Sequence, residues 1–351
     1  MSLSEPYEKA VRNFEDDRPF VLYRKPAAAE VYLLEQENNS LHYIADFSES
    51  GFVMAPFSSD ELAVVLRPGR MFKADYASLN ISAPEVDPKQ IEDADDKYNH
   101  ISLIEDAVLK IKGGSFDKIV LSRPIRIPYN QFPLHAFNRL ISQHLHAFCY
   151  LWYHPQKGLW LGASPELLLS TSRRVVRTYS VAGTIPYSQG EEPKWGPKEK
   201  DEQAIVTNYI LNQLSALSID ASASGPVSYR AGNLWHLKTE IEAAMHGKPL
   251  QQIINALHPT PAICGVPKAA AMVYIQQGES YDRKYYTGFL GELNLERPGN
   301  CSLYVNLRCM EWNKETAVIY VGGGITDKSV ALDEWIETEQ KSRTILDALL
   351  N

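Results

Sequence analysis

The sequence predicts an α+β fold built mainly from antiparallel strands, and three observations support this prediction. Short apolar runs, rich in β-branched and aromatic side chains, recur between polar breaks. The helical patterns do not alternate regularly with these runs, as the helices of a parallel sheet would. Two strand-rich halves with helices between them suit a duplicated α+β architecture, although no short internal repeat appears.

The first part of the chain alternates short apolar runs with polar breaks. FVLY, EVYLL, HYIADF, GFVMAPF and AVVL, within residues 20–66, predict several antiparallel strands. Residues 81–99 are rich in proline and acidic side chains, which predicts a solvated linker. We therefore divide a single α+β domain into a β-rich N-terminal part, residues 1–99, and a second region, residues 100–351.

The middle of the chain predicts a helix and then a series of strands. Ile101, Ile104, Val108 and Ile111 recur at helical spacing, and Gly113 follows as a stop signal. Consecutive antiparallel strands are expected from FDKIVLSRPIRI, AFCYLWYH, GLWLGAS, ELLLSTS and VVRTYSVAGT. Residues 185–203 predict a long polar loop, a kind of segment that is often functional in a compact enzyme.

The last part of the chain predicts helices on both sides of three strands. Val206, Ile210, Leu214 and Leu217 form one apolar helical face. SIDASASGPVSY is expected to be a connector, and PLQQIINALHP and VPKAAAMVYIQQG are expected to be helices. YYTGFLGELN, CSLYVNLRCMEW and AVIYVGG predict a three-strand meander, followed by a glycine turn and a terminal helix.

Composition excludes several classes of function. The chain has 35 basic and 43 acidic residues and a net charge of −8, which argues against non-specific binding to nucleic acid or anionic lipid. The four cysteines have no CxxC spacing, so neither a zinc knuckle nor a redox dithiol is indicated. There is no signal-peptide core, no membrane-length apolar run and no sustained heptad. We expect a cytoplasmic protein without nucleic-acid or membrane partners, either a monomer or a weak homodimer.

Two acidic pairs with the same spacing are the first candidate site. Glu199 with Glu202, and Glu334 with Glu337, are each three residues apart near a predicted helix start, so each pair shares a helix face. Taken alone, each pair is explained by the helix dipole, which favours acids in a first turn. If the pairs met, carboxylates about 4 Å apart would repel by roughly 4 kcal/mol, and a cation such as Mg²⁺ would be required.

Lys118 and Glu166 are candidates for acid and base catalysis. A lysine acting as a base near neutral pH must lower its pKa by about three units, which costs about 4 to 5 kcal/mol. The ordinary alternatives are an edge-strand lysine and a turn glutamate. Arg308, in an apolar run, is a candidate anion clamp unless it points outward. His236 on its own is better explained as a hydrogen-bonded core histidine than as a site residue.

Ten motifs in order, KIVLSR, GASPELL, AGT, KEKDEQ, LWHL, LHPTPAICG, YYTGFLGEL, VNLRC, YVGGGI and DEWIETEQKS, resemble the isochorismate synthases of the chorismate-utilising enzyme family. The resemblance runs from about Lys118 to the terminal helix. It implies two stacked antiparallel β-sheets flanked by helices, with the active site between the layers. Residues 100–351 would then form the chorismate-binding catalytic region.

The resemblance also implies a Mg²⁺ site made by the two acidic pairs. Glu202 and Glu337 would be the closer ligands, with Glu199 and Glu334 in support, and the metal would hold the ring carboxylate of chorismate. One departure is that the metal glutamate is usually followed by histidine, whereas Gln203 stands here. We expect altered support for the site rather than its loss.

The implied reaction converts chorismate to isochorismate. Lys118 would activate water for attack at C2, and Glu166 would protonate the leaving C4 hydroxyl. Relatives that add ammonia carry glutamine in place of this lysine, whereas salicylate synthases keep it and are the nearest alternative. A non-catalytic chorismate-binding protein is a less probable alternative. The sequence does not show whether the product is used in menaquinone or in siderophore biosynthesis.

The resemblance also implies a set of substrate-binding residues. They are Arg308, Tyr286, Gly322, Gly323, Gly324, Lys341, His236, Thr260, Gly183 and Thr184.

Overall fold

The fold consists of two antiparallel β-sheets with helices on their outer faces. A computed structural model describes residues 5–76, 94–187, 192–231 and 234–350. The strands are β1 (Phe20–Arg24), β2 (Glu30–Glu35), β3 (Gly51–Ala55), β4 (Val64–Leu66), β5 (Arg70–Asp75), β6 (Lys118–Pro128), β7 (Phe148–His154), β8 (Gly158–Ser164), β9 (Leu167–Ser172), β10 (Val175–Pro186), β11 (Ala221–Ala231), β12 (Leu234–Ala244), β13 (Gly265–Val266), β14 (Phe289–Leu293), β15 (Cys301–Val305), β16 (Cys309–Trp312) and β17 (Thr316–Ile325). The helices are α1 (Glu5–Glu15), α2 (Ala94–Lys112), α3 (Leu134–Gln143), α4 (Pro197–Ala216), α5 (Leu250–Leu257), α6 (Lys268–Gly278) and α7 (Ala331–Leu350).

Strand order shows how the sheets are assembled. The nine-stranded sheet runs β13-β6-β17-β16-β8-β7-β1-β2-β5, and the eight-stranded sheet runs β11-β12-β10-β9-β15-β14-β3-β4. The paired strands are antiparallel, which confirms the predicted α+β class. Strand β1 pairs with β7 and β3 pairs with β14, so residues 1–99 contribute strands to both sheets.

The two sheets pack face to face through an aromatic core. Tyr23 of β1, Phe52 of β3 and Phe148 of β7 lie within one buried cluster that joins both sheets. All residues of β7 are buried because both of its faces are covered. Each large side chain that is fully buried contributes roughly 1.5–3 kcal/mol by leaving water. This layer fixes the spacing between the sheets, and the candidate site lies between them.

Helices cover the outer faces of the sheets. Helices α1, α3 and α7 pack on the nine-stranded sheet, whereas α4 and α5 pack on the eight-stranded one. The sequence predictions omit α1 and α3. In α1, Tyr7 and Ala10 form a short buried face, a signal too brief to stand out from the flanking polar residues. No helix in the described ranges is both long and apolar enough to span a membrane.

Two sequence predictions are wrong at the two ends of the eight-stranded sheet. SIDASASGPVSY, expected to be a connector, contributes residues 221–229 to β11, which lies at the end of the strand order and pairs with β12. Its residues are mostly exposed, so it lacks an apolar alternation. HYIADF, expected to be a strand, forms a single bridge between Tyr43 and Val64. Of the expected linker, residues 81–93 lie outside the described residues, and residues 94–99 already belong to α2.

The predicted three-strand meander is also wrong, and the difference matters for the site. CSLYVNLRCMEW forms two strands in different sheets, β15 and β16, and the chain crosses between the sheets at residues 306–308. Tyr150 donates a hydrogen bond of 2.6 Å to Asn306 Oδ1, and Asn306 Nδ2 donates one of 2.9 Å to Tyr285 O. Arg308 has a positive φ of 48°. The crossing therefore places Arg308 between the sheets instead of within a strand.

Candidate active site

One cleft between the sheets collects nearly all of the predicted site residues. Its empty volume is about 1120 Å³, including its solvent-filled mouth. It lies where β6, β10, β12 and β17 approach the starts of α4 and α7. The predicted residues that line it are Lys118, Glu166, Gly183, Thr184, Glu199, Glu202, His236, Tyr286, Arg308, Gly322, Gly323, Gly324, Glu334, Glu337 and Lys341.

Thr260 is the exception, since it does not line the cleft. Its carbonyl oxygen instead accepts hydrogen bonds from the backbone N–H groups of Ile263, at 3.1 Å, and Cys264, at 3.0 Å. The resulting turn places Ala262 and Ile263 in the cleft wall. This loop therefore contributes apolar surface where a hydroxyl was expected.

Lys118 is the first residue of β6, and its side chain is buried. Strand β6 pairs with β13 and β17, so Lys118 is not on a free edge strand. Burial lowers the pKa of Lys118, against the opposing effect of Glu202. A Cβ added at Gly324 would lie 3.0 Å from Lys118 Cε and 3.4 Å from Nζ. The glycine thus leaves room for the amine at a position where burial disfavours its charged form.

Glu166 lies on the tight connection between β8 and β9. Its N–H donates a hydrogen bond of 3.3 Å to Ser164 Oγ, and its carbonyl accepts one of 3.0 Å from the Val305 N–H. Burial raises the pKa of Glu166 to about 7, while Lys118 and Lys341 act to lower it. A carboxyl with this pKa is partly protonated near neutral pH and can donate a proton.

The predicted glycine turn is not present, because Gly322, Gly323 and Gly324 all lie within β17 and pair with β6. Their role is to let side chains approach the strand closely. A Cβ at Gly322 would lie 3.0 Å from the Tyr286 hydroxyl, and one at Gly323 would lie 3.4 Å from Glu334 Oε2. The glycines thus form the flat floor of the cleft.

Positive charge stands beside this floor. Lys341 Nζ donates a hydrogen bond of 2.8 Å to Gly322 O and lies 2.5 Å from Glu337 Oε1. Arg308 is half-buried in the same cleft, and burial lowers its pKa while Tyr286 and Glu337 act to raise it. A guanidinium and an ammonium around one cavity are suited to a carboxylate ligand.

The two acidic pairs also meet in this cleft. Burial raises the pKa of Glu202, with Glu337 and Glu199 adding to the effect, and burial together with Glu337 raises the pKa of Glu334. Burial acts in the same direction on Glu337, but Lys341 holds its pKa below the usual value. Carboxylates from α4 and α7 therefore repel one another across the cleft.

Mg²⁺ fits this donor set, which consists of carboxylate oxygens, the ligands that hard cations prefer. Lysines now neutralise part of the charge: besides Lys341, Lys198 Nζ lies 3.5 Å from Glu334 Oε1. Among the described residues, no three acidic, histidine or cysteine side chains form a ready-made metal cluster. Binding of a metal would therefore require the carboxylates to move together and the lysines to give way.

His236 is the neutral member of the site. Its Nδ1 lies 3.2 Å from both Gly183 O and Thr184 Oγ1. Burial lowers its pKa to about 3, and the nearby Arg308 adds to this shift. The imidazole is therefore uncharged at neutral pH. Because Gly183 O can only accept, the contact indicates that Nδ1 carries the proton.

Sequence reasoning missed several residues of the cleft. Lys198 stands directly before Glu199 in the KEKDEQ motif, so its position was visible although its ion pair with Glu334 was not. The other lining residues carried no separate chemical signal in the sequence. They are Val120, Pro165, Val181, Ala182, Tyr229, Ala262, Ile263, Thr287, Leu307, Tyr320 and Val321.

A buried ion pair behind the cleft was also missed. Arg283 Nε donates to Glu279 Oε2 at 2.7 Å, and Arg283 Nη2 donates to Glu279 Oε1 at 2.6 Å. The same guanidinium donates to the carbonyls of Val120 and Ile263, at 2.8 and 3.0 Å. Glu279 in turn accepts the Ser122 N–H at 2.8 Å. The pair thus ties the strand of Lys118 to the apolar wall of the cleft.

Comparison with known proteins identifies a matching family and several similar proteins. A family model described as chorismate binding enzyme matches residues 69–350. The salicylate biosynthesis isochorismate synthase of Pseudomonas aeruginosa is 27% identical over 318 residues, which cover 88% of this chain and 64% of that protein. Isochorismate synthase DhbC of Bacillus subtilis is 29% identical over 267 residues, covering 70% and 66%. The chain thus spans less than two thirds of the length of these relatives.

A solved structure supports the fold. The putative 2,3-dihydroxybenzoate-specific isochorismate synthase DhbC of Bacillus anthracis aligns with a TM-score of 0.81 and 24% identity, over 99% of this chain and 100% of that one. This likeness confirms the predicted arrangement of two antiparallel sheets with flanking helices.

Proposed function

The chain belongs to the chorismate-binding enzyme family, and we propose that it is a Mg²⁺-dependent isochorismate synthase. The observation that carries this proposal is a pair of titratable groups in one cleft whose pKa values are shifted towards neutrality. Burial lowers the pKa of Lys118 and raises that of Glu166 to about 7. Each shift favours the uncharged form, which is an amine base in one case and a carboxylic acid in the other.

These two groups supply the two proton transfers of the reaction. The Lys118 amine takes a proton from water as the water oxygen bonds to C2 of chorismate. The Glu166 carboxyl gives its proton to the C4 hydroxyl, which leaves as water while the ring double bonds shift. One water is consumed and one released, leaving Lys118 protonated and Glu166 ionised. A net proton transfer from Lys118 to Glu166, through solvent, restores the starting state.

The remaining cleft residues orient the dicarboxylate substrate. Arg308 and Lys341 supply positive charge for the enolpyruvyl carboxylate, near the Tyr286 hydroxyl and the glycine floor. Neutral His236 and the apolar Ile263 border the space for the ring, together with Gly183 and Thr184.

The two acidic pairs would hold the metal. Glu202 and Glu337 are the proposed ligands, with Glu199 and Glu334 in support. When bound, Mg²⁺ supplies the positive charge that offsets their repulsion and attracts the ring carboxylate of chorismate.

The proposal is tested by incubating the purified protein with chorismate and resolving the products by chromatography, with Mg²⁺ and with excess chelator. We expect isochorismate with Mg²⁺, none with chelator, and recovery when Mg²⁺ is returned. Intact chorismate under all three conditions would refute the proposal. Activity that survives thorough chelation would refute the proposed Mg²⁺ dependence but not the proposed reaction.

The same assay separates the nearest alternative, a salicylate synthase. That enzyme would eliminate pyruvate from isochorismate, so salicylate and pyruvate would accumulate together. Pyruvate is measured by coupling to lactate dehydrogenase. We expect isochorismate without equimolar pyruvate. A non-catalytic chorismate-binding protein would show substrate binding by calorimetry with no product of either kind.

A further inference from the structure

The inner face of α4 contains one polar residue where its pattern calls for an apolar one. Its buried positions are Gln203, Val206, Ile210 and Leu214, which follow the helical repeat. The last three pack into the apolar core of the eight-stranded sheet. A buried amide without partners costs about 1–3 kcal/mol. An amide at the first of these positions therefore requires a specific environment.

That environment is a cluster of three hydroxyls. Gln203 Nε2 lies 2.9 Å from Ser180 Oγ, 2.7 Å from Thr239 Oγ1 and 2.9 Å from Thr207 Oγ1. Ser180 of β10 and Thr239 of β12 are paired opposite each other in the sheet. The Ser180 and Thr207 hydroxyls also lie 2.6 Å apart. One side chain thus links the helix to two neighbouring strands.

A second contact fixes the helix one turn earlier. Gly183 lies at a bulge of β10 with a φ of 74°, and a Cβ added there would lie 2.9 Å from Glu199 Cβ and 3.0 Å from Glu199 O. The backbone of α4 therefore touches the sheet at Glu199. Glu202 lies between this contact and the Gln203 cluster, so its backbone is held on both sides.

We propose that Gln203 is a positioning residue for Glu202. By bonding to both strands at once, its amide sets the rotation and depth of the first turns of α4, and so the place of the Glu202 carboxylate in the cleft. A methionine of similar size would fill the same volume but would leave the three hydroxyls without their amide partner. The inference rests on the proposed function, because it treats Glu202 as a Mg²⁺ ligand.

The test measures Mg²⁺ affinity in substrate-free protein by titration calorimetry, so that catalysis is not the readout. Changes in residues that orient metal ligands typically weaken binding about 10- to 100-fold. We expect a loss in that range for Gln203→Met. Gln203→His, which retains hydrogen-bonding nitrogens, is expected to lose less. Thr239→Val removes one hydroxyl partner and serves as a milder variant if Gln203→Met does not fold.

A remote variant controls for simple destabilisation. Thr171→Val removes another buried hydroxyl, one on β9 that donates a hydrogen bond of 2.7 Å to Gly299 O, and it should leave Mg²⁺ affinity unchanged. If Gln203→Met and Thr239→Val both bind Mg²⁺ as wild type does, the positioning role is refuted. If Thr171→Val weakens binding equally, the effect is one of general stability, and the role is again refuted. A wild-type protein that binds no Mg²⁺ refutes the proposed metal site instead.

Discussion

Replacing Glu166 with glutamine should make the protein more stable than wild type at alkaline pH. This effect directly tests the proposed role of Glu166 as the acid. Burial raises the pKa of Glu166 from 4.5 to about 7. The folded state therefore binds this proton more tightly than the unfolded chain does, so ionisation of Glu166 destabilises the folded state. Wild type should lose stability relative to Glu166→Gln as pH rises from about 4.5 through 7, with no further loss above that range.

The size of the effect follows from the shift. One pKa unit corresponds to about 1.4 kcal/mol, so a shift from 4.5 to about 7 gives an upper limit of about 3.5 kcal/mol. The Glu166 side chain is only half-buried, and water in the cleft screens part of this effect. Part of the loss has already occurred at pH 5. We therefore expect the stability difference between variant and wild type to grow by about 2 kcal/mol between pH 5 and pH 8.5.

Urea unfolding in metal-free buffer, followed by tryptophan fluorescence, measures this difference at both pH values. Trp152 and Trp160 lie in the core between the sheets and report on its loss. Glu8→Gln, at an exposed position of α1, shows what the same substitution does on the surface. In the chorismate assay, Glu166→Gln should lower turnover about 10²- to 10⁴-fold. A stability difference that stays constant with pH would mean that Glu166 is ionised throughout, and the assignment as proton donor would fail.

Two further substitutions address the base and the support behind it. Lys118→Ala should lower isochorismate formation about 10²- to 10⁴-fold by product chromatography, while the surface control Lys110→Ala stays at the wild-type rate; a Lys118→Ala variant of normal turnover would contradict the base assignment. Arg283→Met leaves Glu279 buried without its partner and should reduce the free energy of unfolding in urea by about 3–5 kcal/mol. Adding Glu279→Gln should recover part of this loss, and a single variant as stable as wild type would contradict the structural role of the pair.

Local spacing made part of the site predictable. The pairs at Glu199 and Glu334 follow from the helical repeat, which places residues three apart on one face regardless of the rest of the chain. Likewise, the β-rich character of the chain follows from short apolar runs. The acidic and glycine-containing motifs therefore carried most of the information that the sequence alone supplies about the cleft.

What the sequence did not predict depends on contacts between distant segments. Arg308 was expected within a strand, because nothing local shows that the chain changes sheets beside it. Edge strand β11 lacks an apolar alternation because solvent covers much of it. Thr260 was placed in the cleft by resemblance alone. In the structure it forms a turn that places Ile263, and not Thr260 itself, in the cleft wall. Each of these wrong predictions concerns a contact between segments that are distant in the sequence, and local patterns do not reveal such contacts.

The polar residues outside the cleft follow from the charges inside it. Carboxylates that repel one another across a cavity would move apart if the helices that carry them were free to shift. The hydrophobic effect that packs these helices on the sheets is non-directional and does not by itself select one rotation of a helix. Hydrogen bonds are directional and fix a rotation. Gln203 supplies such bonds for α4, and Arg283 supplies them for β6 and the loop of Ile263. Buried polar contacts therefore join the elements that carry the charged groups of the cleft and fix the rotation of each element.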